Sequence, residues 1–501
     1  VHALAERGSD APGLIEPVAW RPVLAVAAAA MVVHSAVATR YGWHRDEFYY
    51  LAAGRRPAWG YPDQPPVTPL LARAAGATAG GVLPLRLVVI AFQGATIVVA
   101  ALVAREVGGG RFAQVLTAGC VAGLAVFVGA ALFLGTTPTD QFFWTLIFWL
   151  TLLALRTGTT RAWVATGLAA GVGLENKHTV AVLLAGVAIG LVVSRRRALR
   201  SPGPWIAAAI ALVFWAPNLV WDAQHHWVTL DMARVIADDQ GGTAGAVAQL
   251  PLLLLVFPGP LIVYLWIRGA RWAARPGEGR THVWLLVTAV IVVVGITIAG
   301  GKPYYAAPVL VPLFALGAVA TERRGPAGAP VRRHAVWLVT ASAVTAPLLS
   351  LPYYPPRVAT ALRPLAKESM ETYGWPQVAR EVADATARHP DAVAVYVSNY
   401  GEAGALDTYG RSYGLARPVV AGQNAYRVWG PPRGTPSEVI AVGEFSRSFL
   451  ERSWADVRPI GRLSIGRDLT NEETANDATI YLCRRPRGSW AQLWSKLSYL
   501  S

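Results

Sequence analysis

Residues 41–70 read YGWHRDEFYYLAAGRRPAWGYPDQPPVTPL and hold three carboxylates, Asp46, Glu47 and Asp63, among tyrosines and prolines. A carboxylate can take the proton from an attacking hydroxyl. If DEFYYLAAG is helical, Asp46, Tyr49 and Tyr50 share a face at i, i+3 and i+4. Pro65 and Pro66 then impose an extended, rigid approach to the next segment. A plainer explanation competes: paired acids at a helix start are often solvated or answer the positive end of the helix dipole. Asp63 is equally at home in a turn, and Asp140, in GTTPTDQFFW, reads by default as a helix N-cap.

The cations weigh more. The chain has 41 arginines but four lysines, and only Lys177, in GLENKHTV, and Lys302, in AGGKPYYAAPVLVP, precede residue 350. A lysine ammonium acts as a point charge on phosphate, whereas snorkelling from a helix end is the ordinary role for such a residue. His178 offers a further hydrogen bond, and Tyr304 and Tyr305 follow Lys302 closely. His225-His226, beside Trp221-Asp222, lack a convincing metal-ligand spacing, and an interfacial aromatic belt accounts for the tryptophan. Carboxylates set among compact cations suit one kind of chemistry. The acid deprotonates a hydroxyl while the cations stabilise a departing phosphate.

Such groups need elements to hold them. The chain of 501 residues is 54% hydrophobic and 15% charged, where a soluble protein would carry about a quarter charged residues. Apolar runs of about 20 residues, long enough to span a bilayer, recur. Eleven spans are expected: 20–39, 83–103, 112–134, 140–155, 162–174, 178–193, 204–221, 246–267, 282–299, 304–320 and 334–350. The fifth and sixth are short enough to form one broken or re-entrant element. Trp20–Thr39 lacks a small-residue cleavage site and reads as a signal anchor.

Loops 104–111, 156–161, 194–203, 268–281 and 321–333 contain sixteen arginines and three acidic residues. The positive-inside rule makes theirs the cytoplasmic side. The opposite loops carry Asp46, Glu47, Asp63, Asp140, Glu175, Asp222, Asp231, Asp238 and Asp239. The expected organisation is a cytoplasmic tail over 1–19, a membrane module over 20–350 with its first outer loop at 40–82, and an extracytoplasmic domain over 351–501. In that last part DAVAVYVSNYG, EVIAVGEF and ATIYLCRR read as strands, and WPQVAREVADATARH as an amphipathic helix, giving a small α/β domain.

The net charge of +15 does not point to nucleic acid: residues 1–350 hold 27 Lys+Arg against 15 Asp+Glu, whereas 351–501 hold 18 against 15. The excess belongs to the membrane half, where it sets orientation. Two cysteines, Cys120 and Cys483, form neither a disulfide framework nor a metal-ligand pattern.

The stretches DEFYYLAAGRRPAWGYPDQPPVTPLLAR, TPTDQFFWTLIFWLTLLAL, GLAAGVGLENKHTVAVLLAG and GKPYYAAPVLVPLFALGA resemble, in order, the membrane module of GT-C glycosyltransferases. The branch they resemble is that of bacterial relatives of protein O-mannosyltransferases and lipid A aminoarabinose transferases; the tail resembles those of actinobacterial members. The resemblance covers about residues 20–320. It implies a mostly α polytopic GT-C helical bundle, a polyprenyl-phosphate-sugar donor and inverting transfer on the outer face to a glycan, lipid or protein hydroxyl. It implies catalysis by Asp46 with Glu47 beside it, and it matches Lys177, Lys302 and Asp140 to family positions; Arg45, Tyr49, Asp63, His178, Tyr304 and Tyr305 are this sequence's further candidates for donor binding. No metal or other cofactor is implied, since a monoester leaving group needs less charge neutralisation than a pyrophosphate. Glu175-Asn176 before Lys177 departs from the family pattern.

Two other classes compete. A lipid-linked sugar flippase or secondary transporter should show repeats and midplane charges; no repeat is visible, and the charges sit at span ends. A membrane-anchored sensor leaves the acidic first loop unexplained. In the tail, Tyr400, Glu402, Asn424 and Trp429 are candidates for acceptor contact, with packing as the simpler role.

Overall fold

The computed structural model describes residues 16–78, 81–361, 368–466 and 469–501. Most of the tail assigned to 1–19 lies outside the described residues, as do positions 79 and 80 of the first outer loop. Helix α1 (Trp20–Ser35) leads into that loop, which folds into two short helices, α2 (Arg45–Gly54) and α3 (Val67–Gly76), before α4 (Leu83–Glu106). There follow α5 (Arg111–Ala122), α6 (Ala125–Ala130), α7 (Thr136–Thr157), α8 (Thr160–Leu174), α9 (Thr179–Ser194) and α10 (Gly203–Gln224). The helical part ends with α11 (Val228–Asp239), α12 (Gly242–Ala248), α13 (Val263–Ala274), α14 (Val283–Ile298), α15 (Leu310–Glu322) and α16 (Ala329–Ser350).

Among the described residues, four helical stretches are long and apolar enough to cross a membrane: Leu83–Glu106, Gly203–Gln224, Glu278–Ile298 and Pro303–Glu322. Trp20–Ser35, Thr179–Ser194 and Gly242–Val256 are apolar but shorter. Two expected spans are broken. The run 112–134 divides between α5 and α6 at Gly123, where a Cβ would stand 2.7 Å from the Ala343 backbone nitrogen of α16. Ser342 Oγ donates to the Gly123 carbonyl at 2.9 Å, so the close crossing of α16 occupies the break. The run 246–267 divides into α12, a π-turn at Leu252–Val256 and the start of α13. Pro251, Pro258 and Pro260 remove the donors a continuous helix would need there. The fifth and sixth spans are two separate helices, α8 and α9, joined through Glu175–His178.

Trp144, Phe148, Trp284 and Phe314 lie fully buried in the helical core. By contrast α10 turns Trp205, Leu212, Val213 and Val220 outward. An apolar exterior of this extent suits hydrocarbon rather than water. Its other face packs on α8 at the glycines: a Cβ at Gly167 would come 2.9 Å from Ala207 Cα, and one at Gly171 would come 2.5 Å from Phe214 Cβ.

The C-terminal part is built on a sheet ordered β2-β1-β3-β5-β4. Its strands are β1 (Ala394–Val397), β2 (Val419–Ala421), β3 (Glu438–Gly443), β4 (Trp454–Arg462) and β5 (Thr479–Pro486). The first three are parallel, and β5 runs antiparallel to β3 and β4. β1 and β3 are buried throughout, as parallel strands covered on both faces must be. The amphipathic helix Trp375–Ala387 packs Val378, Val382 and Ala383 into one of these cores. Both edge strands, β2 and β4, were missed in the sequence: β2 has three residues, and β4 is largely exposed and carries Pro459 at a register shift.

Candidate active site

His44 starts α2. Its Nδ1 accepts from the Asp46 backbone N–H at 3.1 Å, while its own N–H donates to Glu47 Oε2 at 2.9 Å. This reciprocal cap fixes the first helical turn and hence the direction of Asp46. The two adjacent acids then part company. Asp46 keeps 30% of its side chain exposed. Glu47 is wholly buried and takes four donors: Arg86 Nε at 3.1 Å, Arg86 Nη2 at 3.0 Å, the Leu134 N–H at 3.1 Å and the His44 N–H. Arg86 also donates to the carbonyls of Ala38 and Gly42. Glu47, expected beside Asp46 as a catalytic group, has its oxygens occupied by a buried ion pair that ties α2 to α4.

Arg45, expected at the phosphate, is likewise engaged elsewhere. It pairs with Glu472 of the C-terminal part and lies 4.9 Å over the Tyr400 ring. The Tyr400 hydroxyl donates to Asp46 Oδ1 at 2.8 Å. The helix Tyr400–Tyr409 reaches α2 this closely through Gly404, where a Cβ would stand 2.3 Å from Phe48 Cβ. Tyr400 is the residue underrated in the sequence: nothing local in NYGEAGALDTYG shows which partner its hydroxyl meets.

Asp63 accepts from the Tyr49 hydroxyl at 2.6 Å, and that same oxygen of Tyr49 accepts from the Ala425 N–H at 3.2 Å. Burial pushes the Asp63 carboxyl up to about 7, against the Tyr49 hydrogen bond. Asp140 lies one turn inside α7, whose cap is Gly135, so it is not the N-cap its sequence context suggests. It is buried and accepts from Trp144 Nε1 at 2.9 Å and from the Thr179 hydroxyl at 3.1 Å.

Lys177 projects over the rings of Tyr305, at 4.0 Å, and Tyr304, at 5.4 Å. Burial brings its ammonium down to about 8, opposed by Asp140 and assisted by the Lys302 charge. Tyr304 lies within electrostatic reach of Asp46, and Tyr305 within reach of both Asp63 and Asp140. The fold therefore seats Lys177 on the Tyr304–Tyr305 pair, with Asp46, Asp63 and Asp140 within electrostatic reach of that pair and Lys302 within reach of Lys177. His178 faces Trp215 at 6.1 Å between ring centres and lies near Asp222.

The other tail candidates are structural in their contacts. Glu402 is buried and accepts from Ser398 and Asn399, Asn424 bonds Ser501, and Trp429 lies 4.3 Å beneath the Arg56 guanidinium. Among the described residues, His44, Glu368 and Glu371 form a cluster close enough to ligate one metal ion. His44 Nδ1, however, accepts the Asp46 N–H, which puts the ring proton on Nε2, 3.2 Å from Glu371. Metal ligation by Nε2 would need the other tautomer and forfeit the helix cap. The donor set fits an imidazole–carboxylate hydrogen bond better than a metal.

Residues 63–221 match the family described as dolichyl-phosphate-mannose-protein mannosyltransferase, a segment that includes Asp63, Asp140, Lys177 and His178 but neither Asp46 nor Lys302. No curated protein sequence matches the chain. Among solved structures, ArnT from Cupriavidus metallidurans bound to undecaprenyl phosphate is 17% identical, with a TM-score of 0.60 over 92% of this chain and 97% of its own. The archaeal oligosaccharyltransferase AglB from Archaeoglobus fulgidus, in complex with an inhibitory peptide and a dolichol-phosphate, is 12% identical, with a TM-score of 0.52 over 86% and 70%. A mutant of the arabinofuranosyltransferase AftD from Mycobacteria is 15% identical, with a TM-score of 0.51 over 93% and 42%.

Proposed function

We propose that this chain, which has the GT-C membrane fold, is an inverting glycosyltransferase acting on a polyprenyl-monophosphate-linked sugar. The observation that carries this reading is Lys177 seated on Tyr304 and Tyr305, with Asp46 and the other carboxylates within electrostatic reach of that pair. Asp46 takes the proton of an acceptor hydroxyl as its oxygen bonds to the sugar's anomeric carbon. The bond from that carbon to the phosphate oxygen breaks on the opposite face, and polyprenyl phosphate leaves. Lys177 and Lys302 offset the charge that develops on it. Tyr304 and Tyr305 set the position of the Lys177 ammonium through their ring faces. Glu47 anchors the base's helix and Arg45 holds the C-terminal part against it.

In this reading residues 20–350 form the catalytic membrane module, and residues 351–501 face outward with the first loop, away from the arginine-rich cytoplasmic loops. The mannosyl, arabinosyl and other pentosyl or hexosyl donors share this chemistry, and the acceptor is a glycan, lipid or protein hydroxyl. The deciding assay uses membranes containing the full chain and radiolabelled polyprenyl-phosphate sugars. Asp46→Asn should insert and fold normally yet transfer no label. Near-normal turnover by that variant removes the assigned base.

A further inference from the structure

Beside Lys177, four side chains carry buried polar atoms with no hydrogen-bond partner among the described residues. They are both carboxyl oxygens of Glu175, Nε2 of His178, Nε1 of Trp215 and Oδ1 of Asn218. Glu175 is 6% exposed and Asn218 2%. Groups of this kind are normally matched in a folded protein, because leaving one buried and unpaired is destabilising.

Their elements bring them together. α8 and α10 run side by side in one direction, with Gly167 against Ala207 and Gly171 against Ala211 and Phe214. Continued by one turn, the same register carries Glu175, just past the end of α8, to the level of Trp215 and Asn218, which share a face of α10 at i and i+3. The His178 and Trp215 ring centres are 6.1 Å apart. The first loop closes over the group: Val67 N–H donates to the Glu175 carbonyl at 3.0 Å, and Asn218 Nδ2 donates to the Trp59 carbonyl at 2.9 Å. Lys177 stands between Glu175 and His178 in the chain.

The set contains acceptors, an indole donor and an imidazole, but no lysine or arginine. It does not suit a second phosphate. It does suit a ring of neutral hydroxyls, since vicinal hydroxyls can each donate to one carboxyl group while the indole N–H bonds a ring or hydroxyl oxygen. Burial also pushes the Glu175 carboxyl up to about 8, which adds a donor at neutral pH. We infer that Glu175, His178, Trp215 and Asn218 form the subsite that reads the hydroxyl pattern of the donor sugar, next to the phosphate held by Lys177. This rests on the donor reading above, and it gives a role to Glu175, one of the two residues that depart from the family pattern.

The test uses the full chain in lipid nanodiscs with farnesyl phosphate and with farnesyl-phosphate-linked mannose, glucose, galactose and arabinofuranose, measured by calorimetry. At least one sugar conjugate should bind about tenfold tighter than farnesyl phosphate itself. Glu175→Leu and Asn218→Leu should each remove most of that preference while leaving farnesyl phosphate within about twofold of its original affinity. The apparent Tm of Glu175→Leu should not fall, because an unmatched buried group has been removed, whereas Asn218→Leu also loses the bond to the Trp59 carbonyl and should fall slightly. Three results overturn the inference: no sugar binding better than farnesyl phosphate, both variants discriminating like the parent, or all ligands weakening together. If the parent chain fails to bind farnesyl phosphate at all, the donor reading falls first and takes the subsite with it.

Discussion

Tyr400 and Asp46, 354 positions apart in the chain, are joined by a hydrogen bond of 2.8 Å from the phenol to the carboxylate. The proposed base is thereby held by a residue of the C-terminal part rather than of its own bundle. Tyr400→Phe keeps the ring that packs at a tilt against Tyr49 at 4.6 Å and carries Arg45 at 4.9 Å, and deletes only the hydroxyl. A hydrogen bond to a charged group contributes about 1.5–3 kcal/mol, so turnover should fall roughly 10- to 100-fold. KM for the donor and Tm should hardly move. Parent-like turnover in this variant means that Asp46 is oriented without help from the tail.

What could be seen in the sequence was what the chain decides locally. The face shared by Asp46, Tyr49 and Tyr50 follows from helical spacing, and Arg45–Gly54 is indeed helical. The strands at Glu438–Gly443 and Thr479–Pro486 follow from their apolar runs. The division of labour between Asp46 and Glu47 was hidden, because it depends on Arg86, 39 positions away. The engagement of Arg45 was hidden for the same reason, its partner Glu472 lying 427 positions on. Gly123 ends a helix where α16 crosses, and Gly119 and Gly123 mark a small-residue face in the sequence without naming the helix that meets it.

The Glu47–Arg86 pair makes a separable claim about stability. Both side chains are at most 1% exposed and joined by two hydrogen bonds. Removing one member of such a pair strands the other charge and costs about 3–5 kcal/mol. Arg86→Met and Glu47→Gln should therefore lower Tm sharply, with activity lost in step with folding. Asp46→Asn should leave Tm near the parent value while transfer disappears. Melting curves and transfer assays on the same membrane preparations distinguish the two acids, and an Asp46→Asn chain as unstable as Arg86→Met contradicts the assignment.

If Lys177 and Lys302 supply the positive charge at the departing phosphate, transfer should continue in the presence of EDTA. Lys177→Met should weaken binding of polyprenyl phosphate about 100-fold, as expected for a desolvated ion contact of roughly 2–3 kcal/mol. Lys177→Arg should recover little, since a planar guanidinium cannot replace a compact ammonium seated over Tyr305 and Tyr304. Loss of transfer in EDTA, restored by manganese or magnesium, identifies a metal as the source of that charge instead.

The buried acids fix the direction in which stability responds to pH. Burial raises Asp63 to about 7 and Glu175 to about 8 in the folded chain, so folding takes up protons as pH climbs above their ordinary range. Their contribution to stability is complete below about pH 4 and is lost as pH rises through 7 to 8. Lys177, lowered to about 8 by burial, acts with the opposite sign: the folded state favours its neutral form, so it regains stability between about pH 8 and pH 10. Asp63 faces Tyr49, which bonds it, and Asp46, whose charge adds to its rise. Tm of the parent should fall from about pH 5 to pH 8, and the slope should shrink in Asp63→Asn and in Glu175→Gln. A parent Tm that instead climbs steadily from pH 5 to about pH 8 means that both carboxyl groups are ionised in the folded protein, and that the site is more polar than its packing implies.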